Sequence, residues 1–233
     1  MEAVEYTNDQ LVCAHRVTAE HYADSGNVQR YIEFVERNGN IGTLVDWGRT
    51  QGVSFEGVIV EAGCGPGLHL AFLESVGARE IVAVDLSPAM VEEARRRSGQ
   101  LSVSSEAVVA DITEEIPVSD GGADVVFSNA VLLHLGPTQF AAAQSEFYRV
   151  LKDGGRQVSR LLLDPEGSER AEGQIGRPEI HHSGRYFHLY TADEIQGMLE
   201  GVGFEPGVTI ERDSDLGGNW GRFITRKPLS VAP

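Results

Sequence analysis

The chain has 233 residues, enough for one domain with a large buried core and a small appended cap. Its formal net charge of −16 gives a surface that repels phosphate backbones, so nucleic acid is excluded as an expected partner. No apolar run approaches the roughly 18 residues needed to span a bilayer, no basic stretch leads into an apolar one at the start, and two cysteines, Cys13 and Cys64, are too few for a disulfide framework. The expectation is a cytoplasmic protein, monomeric or homodimeric, that does not engage a membrane.

In chain order, residues 8–23 and 28–51 read as helical, with Gly26 at the break. Residues 1–52 are thus expected as a helical cap on a core of residues 53–233. From Val58 onward, short β-branched runs alternate with helical patterns, the signature of βαβ units and a parallel sheet. Strands are expected at Val58–Ala62, Ile81–Asp85, Ala107–Asp111, Asp124–Asn129 and Arg156–Leu163, with two more near Val208–Arg212 and Gly221–Arg226. Between them, Ser87-Pro88 supplies an N-cap and a first-turn proline for a helix to about Ser98. A second helix opens at Thr138 and ends in Lys152-Asp153-Gly154-Gly155. A third carries the capping box Thr191-Ala192-Asp193-Glu194 and stops at Gly201–Gly203. The predicted fold is α/β: a Rossmann-like, seven-stranded, mostly parallel sheet with helices on both faces. Residues 164–190 form a polar, glycine-rich stretch that reads equally as a substrate lid or as surface padding.

The first strand ends in Glu61-Ala62-Gly63-Cys64-Gly65-Pro66-Gly67, followed at once by the apolar-periodic Leu68-His69-Leu70-Ala71-Phe72-Leu73. A strand, a side-chain-free turn and a helix N-terminus let a ligand approach the backbone and its N–H groups. The dinucleotide fingerprint Gly-x-Gly-x-x-Gly is not met, because the third glycine comes one residue early and Leu68 stands where it belongs. Glu61 is ill suited to a pyrophosphate and well suited to a ligand with a cationic amino group. Asp85, eighteen residues after Gly67, ends the second strand where its two oxygens can accept both ribose hydroxyls. Asp111 ends the third, placed for an adenine amino group with Ile112 beside the ring. All three acids fall at the carboxyl ends of parallel strands, where open α/β sheets bind ligands.

These segments, with Val84-Asp85-Leu86-Ser87-Pro88-Ala89-Met90, Ala110-Asp111-Ile112, Asp124–Leu135 and Phe147–Gly155, resemble the class I S-adenosylmethionine-dependent methyltransferases. The likeness is to the broad small-molecule group that includes the ubiquinone/menaquinone-biosynthesis type. It implies S-adenosyl-L-methionine as cofactor and a small-molecule methyl acceptor as partner. By the same resemblance, the turn of Ala62, Gly63, Cys64, Gly65 and Gly67 backs the methionine part and Glu61 steers its amino end through water or backbone. Asp85 would hold the ribose, Leu86 and Met90 would flank the adenine, and Asp111 and Ile112 would contact the base. Ser128, Asn129 and Ala130 would face the sulfonium, and Tyr22 and Arg30 would close over the cofactor carboxylate.

Two histidines are candidates for a general base: His134 after the fourth strand, and His188 in Tyr186-Phe187-His188-Leu189-Tyr190. A lone histidine is more often a packing residue, and that alternative stays open for both. His181-His182 have no companion at ligand spacing, and the turn after the fourth strand lacks the Asp-Asn pair of magnesium-dependent catechol-type enzymes, so no catalytic metal is expected. That turn also lacks the Asp/Asn-Pro-Pro-aromatic sequence resembling amide or nucleobase N-methylating sites. An NAD(P)-dependent oxidoreductase and a non-catalytic S-adenosylmethionine-binding module remain as rivals.

Overall fold

A computed structural model of the chain describes residues 14–38, 41–165, 175, 177–180, 185–214, 216 and 218–230. In chain order the elements are α1 (Ala14–His21), α2 (Ser25–Asn38), α3 (Thr43–Thr50), β1 (Gly57–Ala62), α4 (Leu70–Ser75), β2 (Ala78–Asp85), α5 (Pro88–Ser98), β3 (Ser104–Val109) and β4 (Ala123–Asn129). A 3-10 turn (Leu132–His134) follows, then α6 (Pro137–Val150), β5 (Leu151–Leu162), β6 (Arg177–Ile180), β7 (Tyr186–Leu189), α7 (Ala192–Val202), β8 (Thr209–Arg212) and β9 (Trp220–Arg226).

Seven strands form one sheet in the order β3-β2-β1-β4-β5-β9-β8. Neighbours run parallel from β3 to β5, and β9 is antiparallel to both β5 and β8. Strands covered on both faces need apolar side chains in both directions. On β4, Val126 joins one core cluster, with Phe140, Phe147, Ile195 and Leu199 of α6 and α7. Its neighbours Val125 and Phe127 join the other, with Leu44, Leu70, Leu73, Val91 and Ala94.

The caps explain where the helices begin. Ser87 Oγ accepts from the Met90 amide at the start of α5, and Thr191 with Glu194 forms a reciprocal capping box on α7. Gly203 closes α7 at φ 115°.

Several sequence expectations differ from what is observed. The second expected helix is two: α2 ends at Asn38, and α3 starts after Gly42, whose φ is +96°. Leu44, Val45 and Trp47 of α3 pack under the sheet, so this helix belongs to the core layer rather than to the cap. Lys152-Asp153-Gly154-Gly155 does not end α6. That helix stops at Val150, and these residues bulge from β5, where the β4 pairing jumps from Ala123↔Leu151 to Val125↔Arg156. β3 ends at Val109, short of Asp111. Within 164–190, β6 and β7 form an antiparallel hairpin that the sequence reading missed.

Cys13, His181, His182 and most of the expected 164–190 segment lie outside the described residues. Among the described residues, no helix is long and apolar enough to cross a membrane, and no three His, Cys, Asp or Glu side chains gather as a metal site.

A candidate cofactor and acceptor cleft

The order of strands reverses between β1 and β4, so the helices that follow them leave on opposite faces and a crevice opens at their carboxyl ends. There the structure has a cavity of about 590 Å³, within the range of small-molecule sites. Its floor includes Gly63, Gly65, Asp85, Leu86, Asp111, Ile112, Asn129 and Ala130, and Tyr22 and Tyr31 of the cap close over it. A small cluster of Val28, Ile32, Leu68 and Met90, with Tyr22 and Tyr31 against it, fastens Tyr22 and α2 to the rim. Ser87 Oγ adds a tie by donating to the Tyr22 carbonyl at 3.0 Å.

The glycine turn is fixed by its neighbours. The amides of Gly63 and Cys64 donate to the Val84 carbonyl at 2.8 and 2.9 Å, and Gly65 N–H donates to Asp85 Oδ2 at 2.9 Å. All three glycines of the turn have positive φ. A Cβ on Gly63 would stand 2.1 Å from Val131 Cγ2, whereas one on Gly65 would enter the cleft, meeting only Tyr31 at 3.9 Å. Gly67 turns away from the cleft, towards Ala94 of α5.

Asp85 also accepts from Ser87 N–H at 2.8 Å through Oδ1. Burial in the cleft raises the Asp85 carboxyl above the usual carboxylate range, against the pull of the Ser87 and Gly65 amides. Asp111 lines the cleft while its Oδ1 accepts from the Thr113 amide (2.9 Å) and hydroxyl (2.7 Å), the turn that ends β3 early.

Glu61 is 1% exposed and stands behind the turn, off the cleft wall. Its Oε1 lies 2.9 Å from His69 Nδ1, and its equally buried Oε2 has no hydrogen-bond partner among the described residues. His69 does line the cleft, with Nε2 3.3 Å from Asn129 Nδ2. Asn129 Oδ1 accepts from Arg160 Nη1 at 3.4 Å, and Arg160 is paired with Asp213. Ala130 completes this corner in the left-handed region, at φ 59°.

Several expected residues lie elsewhere. Arg30 is exposed and donates to Asn27 Oδ1, because Tyr31 faces the cleft and the preceding helical residue is turned about 100° away. Arg185 takes the place beside Tyr22, donating to its hydroxyl at 2.9 Å. His188 does not line the cleft either. It is buried between the Tyr186 hydroxyl (2.6 Å) and the Ile175 carbonyl (3.0 Å), as strand alternation dictates once Phe187 points inward. Ala62, Cys64 and Ser128 are buried beside the cleft without lining it, and burial pushes the Cys64 thiol well up.

His134 does line the cleft. Its Nδ1 donates to the Tyr186 carbonyl at 2.7 Å, its ring lies against Phe187, and burial pulls its pKa down to about 4. The residues missed in sequence are His69, Arg160, Arg185, Tyr31 and Trp220. Of these, His69 sat two places after the glycine turn, Arg185 directly before the Tyr186–Tyr190 run and Tyr31 directly after Arg30.

A strand, a glycine turn and a helix beside a crevice, with Asp85 ending β2 and Asp111 just past β3, define a Rossmann-like fold. Residues 59–155 match the family model described as a methyltransferase domain. Over 164 residues the chain is 34% identical to a malonyl-(acyl-carrier protein) O-methyltransferase of Yersinia pestis, covering 70% of this chain and 54% of that one. The chain spans about half the length of the curated relatives it matches. In structure it is similar to a Burkholderia thailandensis 1,6-didemethyltoxoflavin-N1-methyltransferase solved with S-adenosylhomocysteine. The TM-score is 0.72 at 18% identity, with 98% of this chain and 93% of that one covered. The [4+2]-cyclase SpnF also shares the fold, with TM-score 0.61, 17% identity, and 75% and 77% coverage. Residues 59–155 thus carry the match to a methyltransferase domain, and the chain has the fold of solved S-adenosylmethionine-dependent methyltransferases.

Proposed function

We propose that the chain transfers a methyl group from S-adenosylmethionine to a small-molecule acceptor, in the cytoplasm. Bound in the cleft, the cofactor supplies an activated methyl on a sulfonium, open to in-line displacement. The observation that carries this reading is the unpartnered Glu61 Oε2, buried directly behind a glycine turn whose middle residue opens into the cleft. A buried carboxylate oxygen without a donor is costly, and a cationic amino group, directly or through water, answers that cost. Asp85, Met90 and Ile112 suit the nucleoside end. The remaining wall, with His134, Leu162, Arg185, Phe187 and Trp220, is left for the acceptor.

The contribution of these residues is mainly orientation and exclusion of water, which can amount to several kcal/mol without any covalent step. Asp85→Ala removes the acceptor of the Gly65 amide and of the ribose hydroxyls together. It is expected to weaken S-adenosylhomocysteine binding at least tenfold, about 1.4 kcal/mol, by calorimetry; unchanged affinity would mean that the ribose lies at another strand end.

For an acceptor that must lose a proton, His134 is the available base. The Nδ1–H bond to Tyr186 leaves Nε2 as its acceptor atom, which would take that proton. With its pKa near 4 the ring is neutral throughout the physiological range. The expected turnover profile is therefore flat from about pH 5 to 8, with an acid limb near 4. A limb near 6.5 that disappears in His134→Gln would contradict this placement. His134 also makes stability fall as pH drops from about 6.5 to 4, because the unfolded chain takes up a proton there that the folded one refuses.

Titration of the purified protein with S-adenosylhomocysteine and with NAD separates this reading from an oxidoreductase. Radiolabelled methyl transfer to a metabolite extract separates it from a non-catalytic binding module. The cyclase of the same fold shows why that second test is needed, since fold does not fix chemistry.

A further inference from the structure

We infer that His69 is a cofactor-contact residue: Glu61 holds it as the Nδ1–H tautomer, and its Nε2 accepts a hydrogen bond from the cofactor's ammonium group. The inference rests on the S-adenosylmethionine reading of the cleft. Glu61 lies behind the wall, and His69 is the residue that connects it to the cavity. Three contacts define the ring. Nδ1 lies 2.9 Å from Glu61 Oε1, a distance at which the carboxylate demands a donor. Nε2 lies 3.3 Å from the amide nitrogen of Asn129, which has only hydrogens to offer, so Nε2 is the acceptor. Phe127 packs edge-on against the ring at 5.3 Å and fixes its plane.

A neutral imidazole whose N–H is given to a carboxylate has a more electron-rich acceptor nitrogen. At 3.3 Å the Asn129 contact is long, so an ammonium group can take Nε2 over at little loss. Glu61 then acts on the amino end through the ring, and through water at its Oε2. Asn129 is itself tied to the buried Arg160 through its Oδ1, so the acceptor atom for the amino end and the floor beside Ala130 are set by one connected framework.

The test compares three ligands by calorimetry on the full chain. They are S-adenosylhomocysteine, its decarboxylated analogue, which keeps the amine, and 5′-methylthioadenosine, which lacks the whole amino-acid end. His69→Ala is expected to weaken the first two at least tenfold and the third less than twofold. His69→Gln, whose amide oxygen reaches roughly to the Nε2 position, is expected to recover binding of the first two to within about threefold of wild type. Equal weakening of all three ligands by His69→Ala overturns the inference, because it marks a merely structural side chain. A loss confined to S-adenosylhomocysteine, with the decarboxylated analogue unaffected, also overturns it, because the contact would then be to the carboxylate. If the wild-type protein binds none of the three, the cofactor reading itself falls and the inference with it.

Discussion

Gly65→Val is expected to abolish S-adenosylhomocysteine binding, by more than a hundredfold, in a protein that still folds; Gly63→Ala is expected to do the reverse. The two glycines sit two residues apart with similar positive φ values, 51° and 72°. Each substitution therefore carries a backbone strain of roughly 1–2 kcal/mol. What differs is the direction in which a Cβ points. At Gly65 it enters open cleft, with only the Tyr31 ring at 3.9 Å, so the empty protein tolerates it and loses roughly 2–8 °C of Tm. The isopropyl group then fills the space against which the ligand must close. At Gly63 the Cβ would lie 2.1 and 2.6 Å from the two methyls of Val131, a half-buried side chain packed on the cleft wall. Overpacking adds about 1–3 kcal/mol to the strain, and Val131→Ala in the same chain should return part of it. Calorimetry and thermal denaturation on the same four proteins separate the effects. Retained ligand binding by Gly65→Val would refute the close-approach account of the turn.

The same turn shows what a sequence reveals and what it leaves out. Its glycines and Asp85 could be read directly because each is tied to a strand end by local rules: β-branched runs, an N-cap at Ser87, a glycine where φ turns positive; Asp111 falls two residues past the end of β3. Local rules also misled. The apolar rhythm after Gly67 suggested that a helix begins at once, whereas α4 begins at Leu70. The rhythm of residues 28–51 hid a break, although Asn38-Gly39-Asn40-Ile41-Gly42 contained the turn signal. At Gly42 a Cβ would press on the Phe72 ring at 2.8 Å, a contact from a distant helix that no local pattern reports. β6 was missed because it is four residues long and contains Pro178, which suits an edge strand but removes the usual strand signature. Arg30 was expected beside the cleft and Arg185 was missed for a related reason: only the helical phase fixed by Tyr31 decides which cation faces Tyr22. Arg160 was invisible as a site residue, because its partners Thr43, Asn129 and Asp213 come from three separate parts of the chain.

Arg160→Met is expected to cost about 3–5 kcal/mol of folding stability, the scale of a buried ion pair broken on one side. Arg160 is 2% exposed, and its Nε lies 2.5 Å from the fully buried Asp213 Oδ2. Removing the guanidinium takes from that carboxylate the counter-charge at 2.5 Å, while Arg222 stays at 3.7 Å. It also strips donors from Thr43 Oγ1 and Asn129 Oδ1. Asp213→Leu added to Arg160→Met removes the carboxylate as well, and replacing both partners with apolar groups is often nearly neutral. Arg222 keeps Glu211 at 3.5 Å and the Trp47 ring at 4.8 Å, so it is not stranded in turn. Urea denaturation should therefore show a double variant more stable than Arg160→Met alone, with unchanged m. A single variant costing less than about 1 kcal/mol would show that the pair contributes little. Ligand binding should not follow stability back. Asn129 has lost its Arg160 donor in both variants, and with it the hold on His69 and on the left-handed Ala130. The double variant is expected to be well folded yet several-fold weaker for S-adenosylhomocysteine, which separates the buried pair's part in the fold from its part in the site.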